Sequence, residues 1–251
     1  MRLSEALELC RGDVVAVVGG GGKTTAMYRL ARETVEEGGG AIATGTTLFT
    51  PPPDRIHHAT VIEERPEELL ARVSLALERE RCVIAGAGHG TQGRFLPVAP
   101  DMPAVLCALP GVRRVIVEAD GSRGRSFKAP ADHEPVIPAG VTLVVAVAGM
   151  RVLGKPLDAE HVHRPERVAA LTGATPGGPV TVEMMAAVLA HSWGGRKGVP
   201  EGLRFAVLLN HVDSGRLDAA HRLGMLLREA GVDLVVLARA REDPPVVELL
   251  R

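Results

Sequence analysis

The sequence predicts an α/β protein, a mostly parallel sheet with helices on both faces in three layers. Short apolar runs alternate along the chain with amphipathic segments. The runs are continuous rather than alternating, as in strands covered on both faces. Glycine-rich or polar clusters follow nearly every run, at the strand ends where such a sheet holds its ligands.

The elements follow in order. "DVVAVVG" reads as a buried strand running into a glycine loop, and residues 24–37 as a helix closed by "GGG". "GAIATGTT" is a second strand. "RPEELLARVSLALERER" is a helix with Leu69, Leu70, Val73 and Leu77 on one face. "CVIAGAG" is a third strand, entering the hairpin-like turn "GHGTQGRFLPVAP". "VRRVIVEADG", "VTLVVAVAG", "RFAVLLNHVD" and "VDLVVLARA" are further strands, with helical patterns clearest at 180–190 and 217–229. The expectation is a single domain over 1–251, with a small subdomain around 150–200 joined near the Pro/Gly-rich "TGATPGGPVT".

Composition narrows the function. A chain of 251 residues with 46% hydrophobic and 24% charged residues can bury a full core. Aromatic residues at 2% and a net charge of -1 argue against general nucleic-acid binding. Cys10, Cys82 and Cys107 form no paired spacing, which fits a reducing compartment. The acidic N-terminal stretch and the lack of a membrane-length apolar run lead us to expect a cytoplasmic protein without membrane association.

"GGGGKTT" is a shortened phosphate-loop pattern, with Gly19, Gly20, Gly21 and Gly22 before Lys23, Thr24 and Thr25. Glycines let backbone N–H groups turn inward around phosphate oxygens, and the following helix adds its positive end. Lys23 is placed to pair with terminal phosphates and Thr24 to coordinate Mg²⁺. A mere turn would hardly need so many glycines. The expectation is a P-loop NTPase-like fold binding Mg²⁺ with ATP or GTP.

The run ending at Glu118 and Asp120 suits a metal site, since alternate strand residues share a face. One carboxylate holds the metal while the other polarises water. Arg123, Arg125 and Lys128 follow in a glycine-hinged loop suited to anions, or else serve as solvated charges. His133 and Glu134, between prolines, offer a base, ligands or a charged turn. Thr46 and Thr47 end the second strand, where hydroxyls can meet metal or phosphate, though β-branched residues also simply suit strands. Asn210 and Asp213 share the N-x-x-D spacing of a guanine reader; Asp213 as a helix cap is the plain alternative. His161 and His163 read either as a metal pair or as a proline-broken helix entry.

Taken together and in order, "VVGGGGKTT", "TGTTLFTPP", "VEADGSRGRSFKAPADHEPVIP", "GMRVLGKPL", "HRPE" and "LLNHVD" resemble the YqeC family of selenium-dependent molybdenum hydroxylase accessory proteins. The resemblance implies a nucleotide-binding protein that serves a molybdenum hydroxylase or its cofactor-handling proteins. Leu48 and Arg151 depart from the pattern, which would place a lysine and an acid there. The short loop also resembles that of Mur-type ligases. Three readings follow: a slow Mg²⁺-NTPase in hydroxylase maturation, an ATP-dependent kinase or ligase on a small molecule, and a non-catalytic nucleotide-gated module. Each is compatible with a homodimer.

Overall fold

Residues 1–52 and 57–251 are described by the computed structural model. Strands β1 (Asp13–Gly19), β2 (Gly40–Gly45), β3 (Ala59–Ile62), β4 (Cys82–Gly86), β5 (Val112–Glu118), β6 (Leu143–Gly149), β7 (Arg204–Asn210), β8 (Leu234–Ala238) and β9 (Val246–Leu250) form one sheet. Its order is β9-β8-β7-β6-β1-β5-β2-β4-β3. All neighbours pair in parallel except β8 and β9. The fold is thus mixed α/β on a large, mostly parallel sheet.

Alternate residues of each central strand enter different cores, which explains the continuous apolar runs. Val15 and Val17 of β1 pack with Leu3 of α1 (Leu3–Ala6), with Leu7 just after it, and with Met27 and Leu30 of α2 (Lys23–Glu36). Ala16 and Val18 face the opposite way, into a core with Met185 and Val188 of α6 and Leu223 of α7. Helices α3 (Pro66–Leu77) and α4 (Met102–Cys107) bring Val73 and Leu106 against Val115 and Val117 on that same opposite face. Helices α5 (Pro165–Thr172), α6 (Val182–Ala190) and α7 (Leu217–Glu229) complete the set, and Thr181 caps α6 by accepting the Met184 N–H at 3.2 Å.

The chain builds one side of β1 first, through β2 to β5, and then crosses to β6 and onward. Strand order therefore reverses at β1, and a crevice opens above its C-terminal end. Register levels the strand ends there: Val17 pairs with Glu118, Gly45 with Glu118, Gly19 with Val147, and Asn210 with Gly149. The loops after β1, β2, β5, β6 and β7 consequently meet at one edge. Among the described residues no helix is long and apolar enough to cross a membrane.

The opposite edge is fastened by Arg114, which is 2% exposed. Its guanidinium donates to the carbonyls of Leu9 at 2.6 Å and Cys10 at 3.2 Å, and lies 2.8 Å from Glu37. One buried side chain thus ties β5 to the N-terminal segment and to the end of α2. Arg114→Ala should lower unfolding free energy by about 3 kcal/mol, because it leaves the Leu9 and Cys10 carbonyls without this donor and takes from Glu37 one of its cations. Urea denaturation will show this as a lower midpoint at unchanged slope; an unchanged midpoint would refute it.

Candidate functional site

The loop after β1 is shaped by close packing. Gly19, Gly21 and Gly22 have φ of +93°, +76° and +125°. A Cβ on Gly21 would fall 2.3 Å from Gly149 N, and one on Gly22 would fall 2.2 Å from Asn210 Nδ2. Both positions thus need glycine for their backbone angles and for the approach of neighbouring strand ends. The loop runs directly into α2, whose N-cap Gly22 offers no side-chain cap. The first-turn amides of Lys23, Thr24 and Thr25 therefore sit where an anion is favoured.

Lys23 is buried and folded back on its own loop. Its ammonium donates to Gly19 O at 2.8 Å and lies 3.4 Å from Asp120 Oδ1 and 3.7 Å from Glu118 Oε1. Thr24 donates its hydroxyl to Glu118 Oε2 at 2.9 Å. The loop, the first turn of α2 and the two acids that end the β5 run are therefore one cluster. Burial pushes the Glu118 carboxyl up, with the Asp120 charge adding to it against the opposing pull of Lys23 and Thr24. A cation arriving here would favour its ionised form. The donor set, two carboxylates and a hydroxyl, suits a hard divalent ion such as Mg²⁺.

Asp120 shapes the loop as well. Both its carboxylate oxygens accept the Gly19 N–H, at 3.1 and 3.0 Å. On its far side lies the buried Lys128, 3.0 Å from Asp120 Oδ2. Lys128 also donates to Gly121 O and to Glu134 Oε2, both at 2.6 Å. Glu134 in turn accepts a fork from Arg164 at 2.8 and 3.0 Å. Burial alone would raise the Glu134 carboxyl, but the bonds from Arg164 and Lys128 outweigh it and hold the group at about 2.

The remaining expected residues divide. Thr46 donates its hydroxyl to Val136 O at 2.6 Å, whereas the Thr47 hydroxyl is buried with no partner among the described residues. Arg123 is exposed, and Arg125 bonds the carbonyls of Ala159 and Arg123. Lys128 and Glu134 face each other inside the protein, while His133 stands exposed. His161 pairs with Asp158 at 2.8 Å, and among the described residues no group of metal-ligating side chains gathers around it or His163.

Asn210 links the loop to the far strands. Its Nδ2 donates to Gly21 O at 2.9 Å and its Oδ1 accepts the Ala240 N–H at 3.0 Å. Beside it opens a cavity of about 200 Å³, lined by Arg151, His211, Asp213 and the turn from Arg239 to Glu242. Asp213 is exposed and pairs with Arg216 rather than capping a helix. His211 is strained at φ +63°, and burial with nearby Arg151 and Arg241 pulls its imidazole down to about 4, so the ring is neutral. A larger cleft of about 470 Å³ lies away from the loop, where Arg29, Arg32, Glu33 and Asp243 pair with one another.

Arg164 and Asn210's bridging role were not foreseen. Arg164 lies 30 positions from Glu134, and such a pair leaves no local pattern to read.

No solved structure matches the chain. A curated relative from Escherichia coli (strain K12), described as "Uncharacterized protein YqeC", is 31% identical over 190 residues, covering 75% of this chain and 73% of its own. The family model described as "YqeC protein" matches residues 15–166, a span that holds the glycine loop, both acids and the Lys128–Glu134–Arg164 contacts. The chain therefore belongs to the YqeC family.

Proposed function

We propose that the protein binds a Mg²⁺–nucleoside triphosphate at the glycine loop, in a P-loop NTPase-like fold, and hydrolyses it slowly. The observation that carries this reading is the pairing of an uncapped α2 start, wrapped by glycines at positive φ, with Lys23, Thr24, Glu118 and Asp120 in one buried cluster. Phosphate oxygens would meet the first-turn amides, and Lys23 would swing from Gly19 O to the terminal phosphates. Thr24 and Glu118 would hold the metal, which supplies charge neutralisation at the phosphoryl group. Asp120 would orient water. Slow turnover is expected because no residue of the cluster is an obvious arginine finger or catalytic glutamine. The motif resemblance supports an accessory role in molybdenum hydroxylase maturation.

The nucleotide base fits the cavity beside Asn210. Asn210 and the Ala240 N–H bond each other, and Asp213, paired at rest with Arg216, is the carboxylate at the N-x-x-D position that would turn to accept from a base. A carboxylate accepting from guanine N1 and N2 favours GTP over ATP.

Metal and nucleotide should bind together. Lys23 cannot leave Glu118 and Asp120 for a phosphate unless another cation replaces it beside them. Calorimetry with non-hydrolysable ATP and GTP analogues should show binding only with Mg²⁺, and Lys23→Ala should weaken it at least about 100-fold. Tight binding by that variant would sink the phosphate-loop reading. Asp213→Asn should weaken GTP about 10-fold more than ATP; equal losses would remove the guanine preference alone.

A further inference from the structure

Lys128, Glu134 and Arg164 touch none of the groups expected to meet phosphate, yet they continue the charge chain out of the site. The sequence of contacts is Lys23, Asp120, Lys128, Glu134, Arg164, with cations and carboxylates alternating. Isolated buried charges cost several kcal/mol each, so each member depends on its neighbours.

Lys128 is the branch point. Its short bonds go to Gly121 O and Glu134, and the contact with Asp120 is the longer one. At rest, Asp120 also has Lys23. Once Lys23 turns to a phosphate and a metal ion takes its place beside the acids, the charge facing Asp120 changes, and with it the balance of Lys128 between Asp120 and Glu134.

Glu134 sits on a strap, residues 129–136. The far end is fixed by main-chain and hydroxyl bonds: Val136 N–H to Ala119 O at 2.9 Å, and Thr46 Oγ1 to Val136 O. The outer side grips the α5–α6 region. Asp132 takes a fork from Arg167 at 2.9 Å to each oxygen, and Lys197 donates to Ala131 O and Asp132 O. Arg164 precedes α5 at φ +63°, a backbone state that is strained for a residue with a side chain and is held by the Glu134 fork. Lys197 lies over the ring of Trp193, the sole tryptophan of the chain, at 5.8 Å, and Trp193 is 62% exposed.

We propose that Lys128, Glu134 and Arg164 form a relay that transmits occupancy of the glycine loop, through the strap, to the α5–α6 face carrying Trp193. The inference rests on the nucleotide reading above and adds its regulation: the ligand state is displayed on a surface remote from the phosphates. By linkage, a partner whose grip on that face is altered by nucleotide changes nucleotide affinity by the same factor.

The test is Trp193 fluorescence during titration of the full chain with the Mg²⁺ complex of a non-hydrolysable nucleotide, with binding measured separately by calorimetry. The wild type should change intensity or emission maximum along the calorimetric isotherm. Arg164→Gln should keep affinity within about three-fold, less than 1 kcal/mol, while losing at least half of the optical change. Arg167→Gln, a surface substitution that spares the core, should also diminish it. Calorimetric binding with a silent tryptophan, or a full response in both variants, would overturn the relay but leave the nucleotide site standing. No calorimetric binding would overturn the nucleotide reading and the relay with it.

Discussion

Asp120 lies between two buried ammonium groups while holding the Gly19 N–H, and the rest of the site depends on that contact. In a low-dielectric interior an unpaired carboxylate would demand a proton or water. With Lys23 on one side and Lys128 on the other it has a countercharge on each flank while it fixes the entry to the glycine loop. The loop geometry, the end of β5 and the strap thus share one electrostatic condition. Removing either lysine would disturb all three.

That condition works only because the strand ends are level. Gly21 packs on Gly149, and Asn210 reaches Gly21 from β7, since Asn210 and Gly149 are partners in register. A slip of one residue in β6 or β7 would reverse its side chains and part these contacts. The apolar runs that build the two cores therefore also set the geometry of the polar edge. Stability and site shape arise from the same packing.

The central strands were legible because burial on both faces writes an uninterrupted apolar run, and α7 begins and ends where its pattern does. The edges were not. In β3 only Val61 is fully buried, and β9 is partly exposed along its length, so neither carries a run long or apolar enough to stand out. α1 and α4 are too short for a helical period to show. Within the site, the loop and the two acids were readable because their spacing is local. Lys128 is different: as a sequence feature it belongs with Arg123 and Arg125 in a basic loop, but the fold buries it and leaves Arg123 outside. Which of several nearby cations is buried depends on partners outside the basic loop, here Glu134 and, through it, the distant Arg164. Asn210 stood out through its N-x-x-D spacing with Asp213, but its amide is engaged by main-chain groups that only the folded sheet brings near.

Asn210 also ties the glycine loop to the cavity at a set distance. β7 lies two strands from β1, with β6 between them, which at about 4.8 Å per strand separates the loop from the cavity by roughly 10 Å. A phosphate bound at the start of α2 and a ring seated beside Asp213 would be joined across that gap by a sugar. Because one amide bonds both Gly21 and Ala240, neither border of the gap can shift without moving the other. On the nucleotide reading proposed above, a ligand that bridges both borders would gain from each contact without the separate ordering of two molecules.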